Sequence, residues 1–195
     1  LTVPAGFDAA RKDALSRVVT MGLPSRRDEY WKYTDPTTLT AADAVAATVL
    51  EIDEPLLFGA VDQIKVVFVD GVFDAAASDD LTQEGLEIAR LSDIADTDIH
   101  WAKDFYGTLE TRGQNPVYRP LATLNTAFAT DGIVIRATAK VKKPVSLVYL
   151  HKDDTSDVML HSLVRVEAGA EVNVLENGPA AARFNSVLEV DVADG

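Results

Sequence analysis

Three histidines, His100, His151 and His161, are the side chains best suited to ligate a metal ion or to exchange a proton near neutral pH. His151 and His161 lie ten residues apart with three aspartates between them, so on neighbouring strands they could form a metal site together with a carboxylate. A second interpretation is favoured: His161 alternates with Met159 and Leu163 on the less apolar side of a strand pattern, which predicts that its ring faces solvent. His100 precedes a tryptophan at the start of a helical pattern, which favours packing or capping over metal ligation.

Other motifs that carry chemistry are absent from the sequence. Asp70-Gly71 and Asp131-Gly132 are typical of turns, because glycine adopts positive φ and aspartate tolerates the turn geometry. The sequence contains no P-loop, no dinucleotide-binding glycine motif, no Gly-x-Ser-x-Gly elbow and no cysteine. We therefore predict no catalytic residue, no cofactor-binding residue and no metal ligand in this chain.

The chain is strongly acidic, because 31 Asp and Glu residues against 18 Lys and Arg residues give a formal net charge of −13. This balance argues against binding to nucleic acid or to an anionic membrane, since both require a basic surface. The absence of cysteine excludes disulfides and fits a reducing compartment, so a cytoplasmic location is expected. No apolar run reaches the roughly 18 residues of a membrane-spanning helix.

One short segment, residues 22–36, concentrates aromatic and basic side chains. Ser25 is suited to cap a short helix there, and Pro36 ends it. Two interpretations stay open. The arginines and rings bind an anion or a partner protein, because such residues are enriched at interfaces. Alternatively, and as the favoured interpretation, an amphipathic helix packs the rings into the core and leaves the basic groups in water.

Helices and a hairpin are predicted before residue 130. Apolar spacing and turn residues define the elements. They are a helix over 8–21 closed by Gly22, a weak helix over 40–50, a hairpin of strands 64–69 and 72–73, a strand over 86–90, and helices over 92–110 and 121–128.

After Gly132 the sequence changes to short β-rich runs separated by turn residues, at 133–138, 145–150, 158–166, 171–176 and 184–192. Their spacing of about 12 residues predicts an all-β sandwich, barrel or solenoid, and periodicity alone does not choose among the three. The series ends without a closing segment, so we expect a fragment of a longer protein. The open last strand of such a fragment favours self-association as a dimer or aggregate.

Several phrases of the sequence together resemble one known family. The most specific is Glu29-Tyr-Trp-Lys-Tyr-Thr34, within residues 22–36. The others are Val67-Phe-Val-Asp-Gly71, Leu124-Asn-Thr-Ala-Phe128 followed by Asp131-Gly-Ile-Val-Ile135, Lys143-Pro-Val-Ser-Leu147 and Val164-Arg-Val-Glu-Ala-Gly169. On these phrases, which span most of the chain, the sequence is similar to the SufB/SufD family of iron–sulfur cluster assembly scaffolds, and to its SufD branch in particular.

The resemblance implies an α+β fold, with a mostly helical amino-terminal region at 1–130 and the first rungs of a truncated right-handed parallel β-helix at 131–195. It also implies a scaffold role beside a SufB-like scaffold and a SufC-like ATPase, with no catalysis and no cofactor in this segment. In the family the ATPase binds a carboxy-terminal helical region, and the proposed cluster-related residues lie late in the chain. None of these parts falls within residues 1–195, so the resemblance supplies no site residue.

Two other functions are compatible with a β-rich chain. A carbohydrate-active β-helix enzyme places acidic and basic side chains on consecutive rungs, whereas Arg136, Arg165 and Glu189 are isolated in the sequence. A generic β-sandwich binding module pairs its strands antiparallel. Strand direction therefore tests the second alternative.

Overall fold

Most helices of this chain pack on one of two four-stranded sheets. The structure, a computed structural model, describes residues 3–50, 57–96, 100–178 and 180–194. The helices are α1 (Asp8–Met21), α2 (Thr37–Thr40), α3 (His100–Phe105), α4 (Thr108–Arg112) and α5 (Pro120–Phe128), with 3₁₀ turns at Glu29–Trp31 and Leu91–Asp96. The strands are β1 (Ile64–Val69), β2 (Val72–Phe73), β3 (Leu86–Arg90), β4 (Ile133–Ala137), β5 (Val145–Leu150), β6 (Asp157–Val166), β7 (Val174–Asn177) and β8 (Arg183–Val192).

The fold is mixed α/β, and both of its sheets combine parallel and antiparallel pairing. One sheet has the order β2-β1-β5-β7 and the other the order β3-β4-β6-β8. β1 pairs antiparallel with β2, and β3 with β4, whereas β1–β5, β5–β7, β4–β6 and β6–β8 are parallel. The chain alternates between the sheets from β4 to β8, and each described pair among these strands is parallel. This direction contradicts the antiparallel β-sandwich alternative.

A first hydrophobic core fills the space between the two sheets. Branched and aromatic side chains meet there, because alternate residues of a strand point to the same face. They include Val66 and Phe68 of β1, Ile133 and Ile135 of β4, Leu147 and Tyr149 of β5, and Val158, Leu160 and Val164 of β6. The apolar runs seen in the sequence supply this core.

A second core lies on the outer face of the β3-β4-β6-β8 sheet, beneath the helices. Phe7, just before α1, and Tyr106, just after α3, stack with ring centroids 4.4 Å apart. They pack with Val134 of β4 and Leu163 of β6, which point away from the first core. These two strands are therefore buried on both faces over much of their length, which explains why apolar residues occur on both faces in their sequences.

Local signals predict some helices correctly and others wrongly. The helix at 8–21 is confirmed, and Gly22 closes it at φ +73° by donating its N–H to the Val18 carbonyl. The helix predicted over 40–50 is wrong beyond Thr40, because this Ala-rich stretch has no apolar stripe to bury. The helix predicted over 92–110 is divided into a 3₁₀ turn, α3 and α4, with Gly107 at φ +75° between the two helices.

Most strand predictions are confirmed at their predicted places. The hairpin of β1 and β2 turns at Asp70 and Gly71, which have φ of +46° and +77°. β1 and β3, from the first 130 residues, pair with β5 and β4, so both parts of the chain contribute to each sheet. A domain boundary between residues 130 and 131 stays a prediction. Within the described part of the chain, none of the helices combines the length and apolar character needed to cross a bilayer.

Candidate functional site: a buried polar cluster

His161 is fully buried on β6, so the prediction that its ring faces solvent is wrong. The strand face predicted by alternation is confirmed, since the ring lies on the side opposite Leu160 and the first core. That face is covered by Tyr106 and by Asn125 of α5. The available signal was the sequence around His161, which is apolar on both strand faces and is typical of a strand buried on two sides.

Hydrogen bonds determine which nitrogen of His161 carries a proton. Asn125 Nδ2 donates to the carbonyl oxygens of Leu160 at 3.0 Å and Asn185 at 2.9 Å, so Asn125 Oδ1 faces the ring. His161 Nδ1 lies 3.0 Å from this oxygen and must donate to it. His161 Nε2 lies 2.7 Å from Glu189 Oε1. Because two lone pairs would otherwise face each other, one proton lies between these two atoms.

The Glu189 carboxylate of β8 also caps the start of α4. Its Oε1 accepts the N–H of Gly107 at 2.6 Å, and its Oε2 accepts those of Leu109 at 2.6 Å and Glu110 at 3.0 Å. A helix start leaves such amides without partners inside the helix. Burial opposes ionisation of Glu189, but the hydrogen bonds from His161 and these amides outweigh it and lower the pKa of Glu189. Burial also lowers the pKa of His161, and Glu189 counteracts that effect.

Glu110 of α4 forms a second ionic centre beside the first. Arg17 of α1 approaches it with two N–H groups, at 3.1 Å to Oε1 and 2.8 Å to Oε2. Thr123 and Thr126 of α5 donate to the same carboxylate at 2.7 and 3.2 Å, and Gln114 donates its side-chain amide. Burial raises the pKa of Glu110, but the hydrogen bonds from Arg17 and Thr123 outweigh it and lower the pKa. One carboxylate thereby joins α1, α4 and α5.

Stacked groups connect these centres to the end of α5. The ring of Tyr106 lies 4.3 Å from that of His161, and burial raises the pKa of the Tyr106 hydroxyl, which stays neutral. The Arg11 guanidinium lies 5.3 Å from the centroid of Tyr106 and donates to the carbonyl oxygens of Ala127 at 3.2 Å and Ala129 at 2.9 Å. We call Arg11, Arg17, Tyr106, Glu110, Asn125, His161 and Glu189 the polar cluster.

The polar cluster is suited to hold helices on a sheet. The side chains of His161 and Glu189 are 0% and 2% exposed, and both nitrogens of the imidazole have partners within the chain. The imidazole of His161 therefore has no nitrogen left to accept a proton from a substrate. Removing one member leaves another polar group buried without a partner, which costs stability. The cluster therefore ties α1, α4 and α5 to β6 and β8.

We expect the free energy of unfolding to fall as the pH drops below 4.5, the reference pKa of a glutamate. Glu110 and Glu189 have folded-state pKa values below this unfolded-state value, so between the two values the unfolded chain binds more protons. Their stabilisation is complete above the unfolded-state pKa and is lost as the pH falls through the folded-state pKa. Urea unfolding over a pH series measures this effect. The Glu189→Gln variant should show a flatter dependence, and an unchanged slope would contradict the assignment.

His151 and the first turn aspartate lie apart from the polar cluster. His151 follows β5 in the other sheet, and its Nε2 contacts a nearby backbone carbonyl at 2.9 Å. Asp70 accepts backbone N–H groups after β5 from its turn position. The side chain of His100 lies outside the described residues. In the described ranges, no three His, Asp or Glu side chains are grouped as a metal site requires.

The charged side chains considered for a carbohydrate enzyme all have partners. Arg136 pairs with Glu167 at 2.7 Å, and Arg165 pairs with Asp191 at 3.2 Å. Glu189, isolated in the sequence, is joined to His161 instead. No observation in the structure favours this alternative.

Asp131 does more than form a turn. It is buried and accepts the guanidinium of Arg90 at 2.6 Å, and its other oxygen accepts the N–H of Ser92. The assignment of Asp131 to turn geometry alone is therefore incomplete. Asp131 binds the end of β3 to the start of β4.

The two tyrosine rings of residues 22–36 are exposed, and Trp31 is half-buried. Tyr30 and Tyr33 are 71% and 89% exposed, so the expectation that the rings pack into the core is wrong for both tyrosines. Asp28 accepts the N–H of Ser25 at 2.6 Å, which forms a turn, and only a 3₁₀ turn follows at Glu29–Trp31 in place of the predicted helix. The segment presents its rings at the surface, as its other interpretation requires.

Sequence patterns do not reveal the contributions of α4 and α5 to the cluster. The helix at 121–128 is confirmed, but its apolar stripe is half-buried, whereas its polar residues are completely buried. These are Thr123, Asn125 and Thr126. No local signal marks them, because the carboxylates and ring they contact lie elsewhere in the chain.

Comparison with known proteins agrees with the resemblance noted in the sequence. Residues 2–147 match the family described as the SufBD protein N-terminal region. An iron–sulfur cluster assembly SufBD family protein of Synechocystis sp. is 30% identical over 177 residues, which cover 86% of this chain and 38% of that protein. The chain thus spans less than two-fifths of the length of this curated relative.

Proposed function

Because this chain belongs to the SufB/SufD family of iron–sulfur cluster assembly proteins, we propose that it forms the amino-terminal part of a SufD-type scaffold subunit acting in the cytoplasm. The family match over residues 2–147 carries the proposal. The aromatic phrase at 29–34 favours the SufD branch. The cluster is the cargo of such a scaffold, and since residues 1–195 contain no cysteine, any thiolate ligand for it would lie outside these residues.

We propose that β4–β8 begin a right-handed parallel β-helix. The chain alternates between two sheets, and each return adds a strand parallel to the one before it in the same sheet. The first core between the sheets is the interior that such a coil requires. The handedness follows from the family resemblance.

The proposed partners are a SufB-like scaffold and a SufC-like ATPase. The family match carries this proposal. The sealed polar cluster supports a structural role for the helical layer. This role favours a protein that organises other subunits without catalysis of its own. In isolation, two copies of residues 1–195 are expected to pair through β8, the last strand of its sheet.

Co-purification tests whether the full-length protein binds the proposed partners and whether residues 1–195 alone bind the ATPase. We expect the full-length protein to retain a SufC-like ATPase and a SufB-like scaffold on an affinity column. Residues 1–195, loaded at equal amount and checked for folding by circular dichroism, should retain no ATPase, because the proposed contact lies outside them. Retention of the ATPase by residues 1–195 contradicts an ATPase contact outside these residues. Failure of the full-length protein to retain either partner contradicts the scaffold role.

A further inference from the structure

The first core ends on one side in exposed aliphatic side chains of β8. Val190 and Val192 lie in register with Val164 and Val166 of β6, which belong to the first core or pack against it. Register neighbours of a parallel pair point to the same face, so these two side chains face the space between the sheets. They are nonetheless 44% and 64% exposed, and Leu188 on the same face is 41% exposed. Within the described residues, β7 and β8 are the last strands of their sheets on this side.

Glu176 of β7 points into the same space. It lies in register with Leu147 of the first core, and Val174, two residues earlier, packs against that core. Burial and the nearby carboxylate raise the pKa of Tyr149, so its hydroxyl stays protonated and donates to Glu176 Oε1 at 3.0 Å. An exposed carboxylate therefore lies at the open end of an apolar interior.

These inward-facing side chains form one surface, which we call the end face: Glu176, Leu188, Val190 and Val192. Exposed aliphatic side chains that continue a core favour burial under a further layer. A strand stacked on β7 and β8 would supply this layer and would pair with the edges of both strands.

A covering strand would also bury Glu176, and this burial determines the charge that the strand must carry. In the described ranges, only the Tyr149 hydroxyl bonds to the Glu176 carboxylate. A buried carboxylate with a single neutral donor is costly unless a cation is added. The sheets of this chain already use such pairs between register neighbours, since Arg165 of β6 contacts Asp191 of β8 at 3.2 Å.

We propose that the end face is covered by the next strand of the same coil, which places a lysine or arginine in register with Glu176. The strand would belong to the part of the full-length protein that follows residue 195. The aliphatic face continues the first core, and this chain spans only 38% of its curated relative, which leaves length for further strands. The inference rests on the proposed β-helix and specifies the charge inside its next turn.

Amide hydrogen exchange tests the covering strand by comparing the full-length protein, without partners, with residues 1–195. We expect the amides of β7 and β8 to exchange at least about tenfold more slowly in the full-length protein, because a neighbouring strand would bind N–H groups along their edges. β4 and β6 serve as the internal reference for an intact fold. Residues 1–195 are measured at a dilution where light scattering shows a monomer.

Two results of this comparison would overturn the covering strand. The first is equal exchange of β7 and β8 in the two proteins. The second is protection of residues 1–195 that rises with concentration to the full-length level, because the end face would then be covered by a second copy.

Substitution of Glu176 in the full-length protein tests the charge. Glu176→Leu should accelerate the exchange of β7 about tenfold or more, because the opposing cation would be left buried without a partner. Glu176→Gln keeps an acceptor and should give a smaller acceleration. Slower or unchanged exchange in Glu176→Leu overturns the proposal, since removal of a buried carboxylate that has no cation would stabilise these strands.

Glu171→Leu is the matched control, because this exposed glutamate precedes β7 and lies outside the end face. It should leave the exchange of β7 unchanged, and an acceleration equal to that of Glu176→Leu overturns the proposed pair. The outcome is separate from co-purification. Loss of partner retention with these exchange results intact contradicts the scaffold role alone, whereas equal exchange with partners retained contradicts the covering strand alone.

Discussion

Replacing Glu189 with alanine is expected to lower the free energy of unfolding by about 3–5 kcal/mol, the range for removing one partner of a buried ion pair. The substitution deletes the acceptor of three backbone N–H groups at the start of α4. It also leaves His161 Nε2 without a partner in a site closed to water. Urea unfolding followed by circular dichroism measures the loss.

A second substitution at Glu189 separates the charge of the side chain from its shape, and a substitution at an exposed glutamate serves as the control. Glu189→Gln keeps the volume and one acceptor, so we expect an intermediate loss of about 1–3 kcal/mol, the cost of a buried group left without its hydrogen bond. Glu171→Ala is the matched control, because this glutamate is exposed, and a change within about 0.5 kcal/mol is expected for such a surface site. Equal stability of all three variants would contradict the role given to the polar cluster.

Elements with a local cause could be predicted from the sequence. The hairpin of β1 and β2 needs only two apolar strands and a turn that Asp70 and Gly71 form with positive φ. α1 ends at Gly22 for an equally local reason. Both signals lie within a few residues of the structure they produce, so no distant contact was needed to recognise them.

Elements shaped by distant contacts could not be predicted. The helix expected over 92–110 is interrupted at Gly107, whose N–H is bound by Glu189, a residue far along the chain. A single glutamate in a strand gives the same sequence pattern whether it is solvated or buried. Gly107 is a local signal for the break, but its capping by Glu189 is visible only once β8 is placed beside the helices.

The position of His161 shows what strand periodicity cannot predict. Alternation predicts on which face of a strand a side chain lies, and this prediction is correct for the His161 ring. Burial depends on what covers the face, and the cover comes from Tyr106 and from Asn125 on α5. Most of the polar cluster consists of such contacts between separate elements, which explains why the sequence singles out His161 and Glu189 but does not reveal that they pair.

Replacing Gly132 with alanine is expected to destabilise the protein strongly for a steric reason. A Cβ at this position would lie 1.9 Å from the carbonyl oxygen of His161 and 2.5 Å from its carbonyl carbon. These are backbone atoms of β6, and the N–H of His161 donates to the Asp131 carbonyl at 2.9 Å, so no side-chain rotation relieves the contact. We expect a loss of about 3 kcal/mol or more, at or above the upper end of typical overpacking costs.

Gly113→Ala is the control for this steric effect. Gly113 adopts φ −67°, and its added Cβ would meet no atom closer than 3.3 Å, so a change within about 1 kcal/mol in either direction is expected. Urea unfolding compares the two variants, and amide hydrogen exchange shows whether protection is lost along β4 and β6. Similar stability of the two variants would mean that these strands separate easily. That result would contradict the conclusion that the β6 backbone holds His161 in contact with Glu189.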